Sequence, residues 1–196
     1  MLPKAEELVE QVVAAVREEA KKIPWFNEQP NGAIMVGISP ITKYASDWLL
    51  TSGAKEVDFL PDGELCATFC APINPEGGYE VTFPDGDVVE TKDYAFKKIC
   101  HCWVALSNGF GYVSGLELPF PDLDEEHDFG PYRGAIAFQV ILDWNWFCRV
   151  FVCVSGAKEM EDEQCAAAAI PVVSSFFENA EGRYLVQKPE IPEEKE

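Results

Sequence analysis

Positive charge is what this sequence lacks. Only 15 Lys and Arg stand against 34 Asp and Glu, a formal net charge of -19 over 196 residues. A surface that acidic repels phosphate backbones and anionic lipids, which argues against nucleic acid or a membrane as partner. Long apolar runs are missing too: no stretch approaches the roughly 20 residues that a membrane-spanning helix requires. The 7 cysteines are odd in number and spread without small-domain spacing, so no disulfide framework is expected. The N-terminus, MLPKAEELVEQ, enters an amphipathic charged segment at once rather than an apolar leader. A cytoplasmic protein with reduced thiols is the expectation.

What is present suits a globular chain. Hydrophobic residues make up 47% and aromatics 12%, enough to build a core, and a chain of this length buries about 70% of its unfolded surface. A single domain over residues 1–186 is expected, followed by a disordered acidic tail over 187–196 (QKPEIPEEKE).

Leu8, Val12, Ala15 and Val16 recur at helical spacing and predict a helix from Pro3 to Lys22. "AIMVGI" reads as a strand, and residues 41–52 as a second helix. "VDFLPDGELCATF" and "YEVTFPDGDVVET" each place Pro-Asp-Gly between extended runs, and both predict hairpins. A helix from Asp93 to Leu106 carries Phe96, Ile99, Trp103 and Leu106 on one stripe. Beyond an acidic loop from Pro119 to Pro131, "RGAIAFQVIL" and "FCRVFVCVSG" form a third hairpin through "DWNW", apolar on both faces. A final helix over Ala157–Glu178 is disturbed at Pro171. Hairpins demand antiparallel pairing, so the fold class is α+β.

The Val154-Ser155-Gly156 junction invites a catalytic reading, which its neighbours do not support. A nucleophile elbow needs glycine at positions 153 and 157, which are Cys and Ala. A phosphate cradle needs open helix N-terminal amides, yet Glu159, Glu161, Asp162 and Glu163 already occupy the first turns. The junction reads as architecture, with Ser155 as helix N-cap.

The same residues carry a family likeness. "RGAIAFQVI" followed by "FVCVSGAKEMEDEQCAAAAI" resembles the end of the GlcG-like, HbpS-like family, often labelled the haem-degrading domain. The matching positions are Gly134 in the penultimate strand, Val154, Ser155 and Gly156 closing the next, and the spaced acids Glu159, Asp162 and Glu163. In "DYAFKKICHCWVAL", Lys98 is similar to the lysine of the family's helix. The likeness spans residues 79–177, leaving residues 1–70 as a divergent N-terminal elaboration. It implies a profilin-like antiparallel sheet of about five strands flanked by helices, a homo-oligomer and, in some members, haem. Where members carry Gly-Gly before a Pro, this chain has Tyr132, Arg133 and Gly134.

Lys97, Lys98 and His101 form a cationic helix strip that could meet a carboxylate, or simply a solvated face. Cys100, His101 and Cys102 point about 100° apart and do not converge on one metal, so no metal site is expected. His127 sits among carboxylates that favour its protonated form. Arg133 could grip an anion or pair with one of the many acids. The aromatic tip, Trp144 and Trp146, reads as a subunit contact or as packing beneath a helix.

The expected function is a small-molecule binding or sensing module, with haem or a related planar ligand held between sheet and helix by Lys97, Lys98, His101, His127, Tyr132 and Arg133. An enzyme acting on a small carboxylate or redox substrate through Lys98, Arg133 or a cysteine is one alternative. A non-catalytic oligomeric assembly protein is the other.

Overall fold

The stripe Leu8, Val12, Val16 and Ala20 is buried in the computed structural model, seating helix α1 (Ala5–Ala20) on one side of a six-stranded sheet. The structure describes residues 2–52, 56–107, 134–180 and 183–187. After α1 come α2 (Pro24–Glu28), β1 (Ala33–Pro40), α3 (Lys43–Thr51), β2 (Glu56–Phe59) and β3 (Leu65–Pro72). A small hairpin, β4 (Glu80–Thr82) and β5 (Val88–Glu90), leads directly into α4 (Thr91–Ser107). The chain then forms β6 (Ala135–Leu142), β7 (Asn145–Ser155), α5 (Glu159–Ala167), α6 (Ile170–Glu178) and β8 (Tyr184–Gln187).

The strand order is β2-β3-β1-β7-β6-β8, and every neighbouring pair is antiparallel. The α+β class is therefore as expected, with six strands rather than about five. The described residues among 1–70 belong to the sheet and the helices packed on it. They supply β1 at the centre of the sheet, β2 at one edge and most of β3.

The period of two along β1 sorts its side chains between two cores. Ile34, Val36 and Ile38 join α1, α3 and α6 in the larger cluster, and Ala33 and Met35 join α4 in the smaller one. The expected two-sided burial of β7 is found: Val150, Val152 and Val154 face the larger core, Phe151 and Cys153 the smaller. At Gly37 a methyl group would lie 3.0 Å from Cys66 Sγ and 3.2 Å from Ile99 Cδ1. Its missing side chain lets α4 approach β1 closely.

Three expectations need correction. The C-terminal helix is two helices, because Pro171 is placed at the start of α6, where its missing N–H is not needed. Ser155 is the last residue of β7 and not a cap; the Lys158 amide instead donates to Glu161 Oε2 at 3.2 Å and the Ala157 amide to Asp162 Oδ1 at 3.1 Å. Gln187, assigned above to the tail, ends β8, while 188–196 lie outside the described residues. Pairing along β6 orders this short segment where its sequence pattern could not announce it.

Candidate functional site

Helix α4 takes part in two constructions, one that binds the fold together and one that is open. The closed one centres on Lys98. Its ammonium donates to Asp162 Oδ2 at 2.7 Å and to the Val154 carbonyl at 2.9 Å, fully enclosed by protein. Burial pushes the Asp162 carboxyl above the ordinary aspartate value, while Lys98 and the amides of Ala157 and Gly156 pull it back down. Gly134 closes the knot with a positive φ of 105°. A side chain there would meet Asp162 Cβ at 2.7 Å and Val154 O at 2.8 Å.

Gly134, Val154, Asp162 and Lys98 converge on this one buried contact. It joins α4, on one face of the sheet, to α5 on the other.

The open construction is a cleft of about 340 Å³ between the first turns of α4 and the sheet. Antiparallel register sets Met35 opposite Cys70, Gly37 opposite Thr68 and Thr68 opposite Glu56, so these positions share one face. Met35, Thr68 and Cys70 form the floor. From α4, Lys92, Asp93, Phe96 and Lys97 stand over it, one helical turn apart in pairs. Glu56 and Asp58 close the side toward the sheet edge, with the Thr68 hydroxyl donating to Asp58 Oδ2 at 2.7 Å.

Charges of both signs thus line a partly apolar floor. Lys92 lies 4.1 Å from the Tyr79 ring centroid and Lys97 5.1 Å from that of Tyr94. Cys70 is half-buried, and burial pushes its thiol up to about 11, with Lys92 opposing. It is a neutral hydrogen-bonding group at physiological pH, not a thiolate.

A second cavity, of about 370 Å³, lies between α1, α2 and the turn after β3. Of its cations, Arg17 donates to the Pro72 carbonyl at 2.8 Å, and Lys21 pairs with Glu18, which lines the same cavity. In the α4 cleft, Lys92 and Lys97 lie over tyrosine rings and Asp58 accepts from Thr68.

The expected site residues separate. Lys97 faces the cleft. Lys98 and His101 are buried, so the proposed cationic strip does not exist as a surface. The helical repeat that puts Lys97 toward solvent turns Lys98 under β7, where Asp162 meets it. His127, Tyr132 and Arg133 lie outside the described residues, as does the acidic loop. The reading missed Met35, Thr68, Glu56 and Asp58, which no local motif marks. Among the described residues, no cluster of three or more His, Cys, Asp or Glu is gathered that could hold a metal, and no helix is long and apolar enough to cross a membrane.

No protein-family model, curated protein or solved structure matches the chain.

Proposed function

We propose that the protein is a small-molecule binding or sensing module whose ligand sits in the cleft between α4 and the β1–β3–β2 face. The carrying observation is the cleft itself: ammonium groups from Lys92 and Lys97 and carboxylates from Glu56, Asp58 and Asp93 surround Met35, Thr68 and Cys70. Its size lies in the range of small-ligand pockets, and polar groups placed around such a site fix a ligand's orientation. The ligand class this favours carries both a carboxylate and an amine or hydroxyl. Within this reading the chain is a divergent GlcG-like, HbpS-like protein of profilin-like architecture, cytoplasmic and self-associating. The likeness of residues 79–177 supports that part.

Haem suits the described part of the cleft poorly. Haem iron takes an imidazole, a thiolate or a phenolate, with Met as a second partner. His101 is buried outside the cleft lining. Burial raises the Cys70 thiol to about 11 and the Tyr79 phenol to about 12, which adds to the cost of forming either anionic ligand. An enzyme built on Lys98 also loses support, because that ammonium is enclosed against Asp162.

A thermal-shift screen of amino acids, polyamines, small dicarboxylates and haem tests the reading. At least one amphoteric compound should raise the melting temperature of the native chain and lose that effect in Lys97→Ala and Thr68→Val. Stabilisation that survives both substitutions, or none across the screen, contradicts it.

Self-association through the β6–β7 hairpin is a second reading with its own observation. Asp143 and Trp144 form its two-residue turn with φ of 46° and 69°, and Trp144 is 90% exposed. Such turns favour Asn-Gly or Asp-Gly, so a tryptophan there is a costly choice for a solvent-facing position.

A further inference from the structure

The edge strand β2 pairs with β3 on one side and, among the described residues, has no strand on the other. Its four residues alternate in chemistry. Glu56 and Asp58 lie on the α4 face beside the cleft, and Val57 and Phe59 lie on the opposite face. Val57 is 53% exposed, Phe59 65%, and Leu65, the cross-strand neighbour of Phe59, 51%. The edge therefore presents hydrogen-bonding backbone flanked by carboxylates above and an apolar strip below.

We propose that β2 receives an extended segment of a partner protein in which basic and apolar residues alternate. A strand laid beside β2 also alternates its side chains between faces. Its basic residues would meet Glu56 and Asp58, and its apolar residues would cover Val57, Phe59 and Leu65. Charge decides against a second copy of this chain as the occupant. Antiparallel pairing of two β2 edges opposes carboxylate to carboxylate, which destabilises cross-strand pairs. The same carboxylates that guard the edge against self-pairing select a cationic partner.

Fluorescence polarisation with the full chain tests this, using two labelled peptides of identical composition. One alternates lysine and valine over about ten residues, a length typical of strand-addition ligands. The other groups its lysines and valines in two blocks. The alternating peptide should bind at least about tenfold more tightly than the block peptide, the sum of a few cross-strand pairs. Val57→Lys, a surface change on the apolar side of the edge, should abolish that difference. Hydrogen exchange should show new protection at residues 56–59 with the alternating peptide alone. Equal affinity for the two peptides would reduce the effect to general attraction by an acidic surface and overturn the proposal. So would absence of binding, or a dimer of the chain that Val57→Lys dissolves. The peptide would share Glu56 and Asp58 with the cleft, whose own reading is tested separately by small molecules against Lys97 and Thr68.

Discussion

Lys98 Nζ lies 2.7 Å from Asp162 Oδ2, with the two side chains only 5% and 2% exposed. The pair joins α4 to α5 around the end of the sheet, 64 residues apart in sequence. Breaking such a pair leaves one charge buried without compensation. Lys98→Met is expected to destabilise the protein by about 3–5 kcal/mol, measured by urea unfolding. Adding Asp162→Leu should recover part of that loss, because the stranded carboxylate is then gone. If the double variant is less stable than Lys98→Met by the full additive amount, the two residues do not act as a pair.

Gly134 makes the same contact possible from the third side. Gly134→Ala forces a side chain into left-handed backbone and against Asp162 and Val154. The backbone strain alone is worth about 1–3 kcal/mol. The expected outcome is a loss of at least that size, and an unchanged unfolding midpoint would refute the geometry.

Much of this architecture is legible in the sequence and some is not. The two Pro-Asp-Gly turns mark their hairpins because each residue of that triplet has a backbone reason to be there. The helix over Thr91–Ser107 shows itself through Phe96, Ile99 and Leu106. By contrast, β8 and α2 are four and five residues long, too short for a period to register. Lys98 stands beside Lys97 and reads as part of a cationic strip, and nothing local identifies Asp162 as its partner. The cleft is hidden for the same reason. Met35, Thr68, Glu56 and Lys97 come from four elements, and only sheet register and helix placement bring them together.

Cys70 is expected to be the thiol that reacts first in the native protein, since Cys66, Cys100, Cys102, Cys148, Cys153 and Cys165 are all buried. An unfolded thiol ionises near about 8.5, whereas folded Cys70 ionises at about 11. Between those values the unfolded state has released a proton that the folded state keeps. Stability therefore falls as pH rises through this window, and the contribution of Cys70 is constant below and above it. Alkylation followed by peptide mass spectrometry should give a native rate at Cys70 with its midpoint near the higher value. A midpoint near the ordinary thiol value contradicts the burial.

Trp144→Gly should stabilise the isolated chain by about 1 kcal/mol, because glycine relieves the positive φ. If the hairpin tip is a subunit contact, the same variant should shift sedimentation velocity toward the monomer. A more stable chain with unchanged sedimentation would remove the tip from any interface.

Amide chemical-shift mapping tests most directly whether a ligand binds in the α4 cleft. With a stabilising amphoteric compound added to labelled protein, the largest changes should fall on Met35, Thr68, Cys70, Phe96 and Lys97. Changes confined to Arg17, Phe26 and Ile73, around the α1–α2 cavity, would contradict it, as would a spectrum unaltered by every compound in the screen.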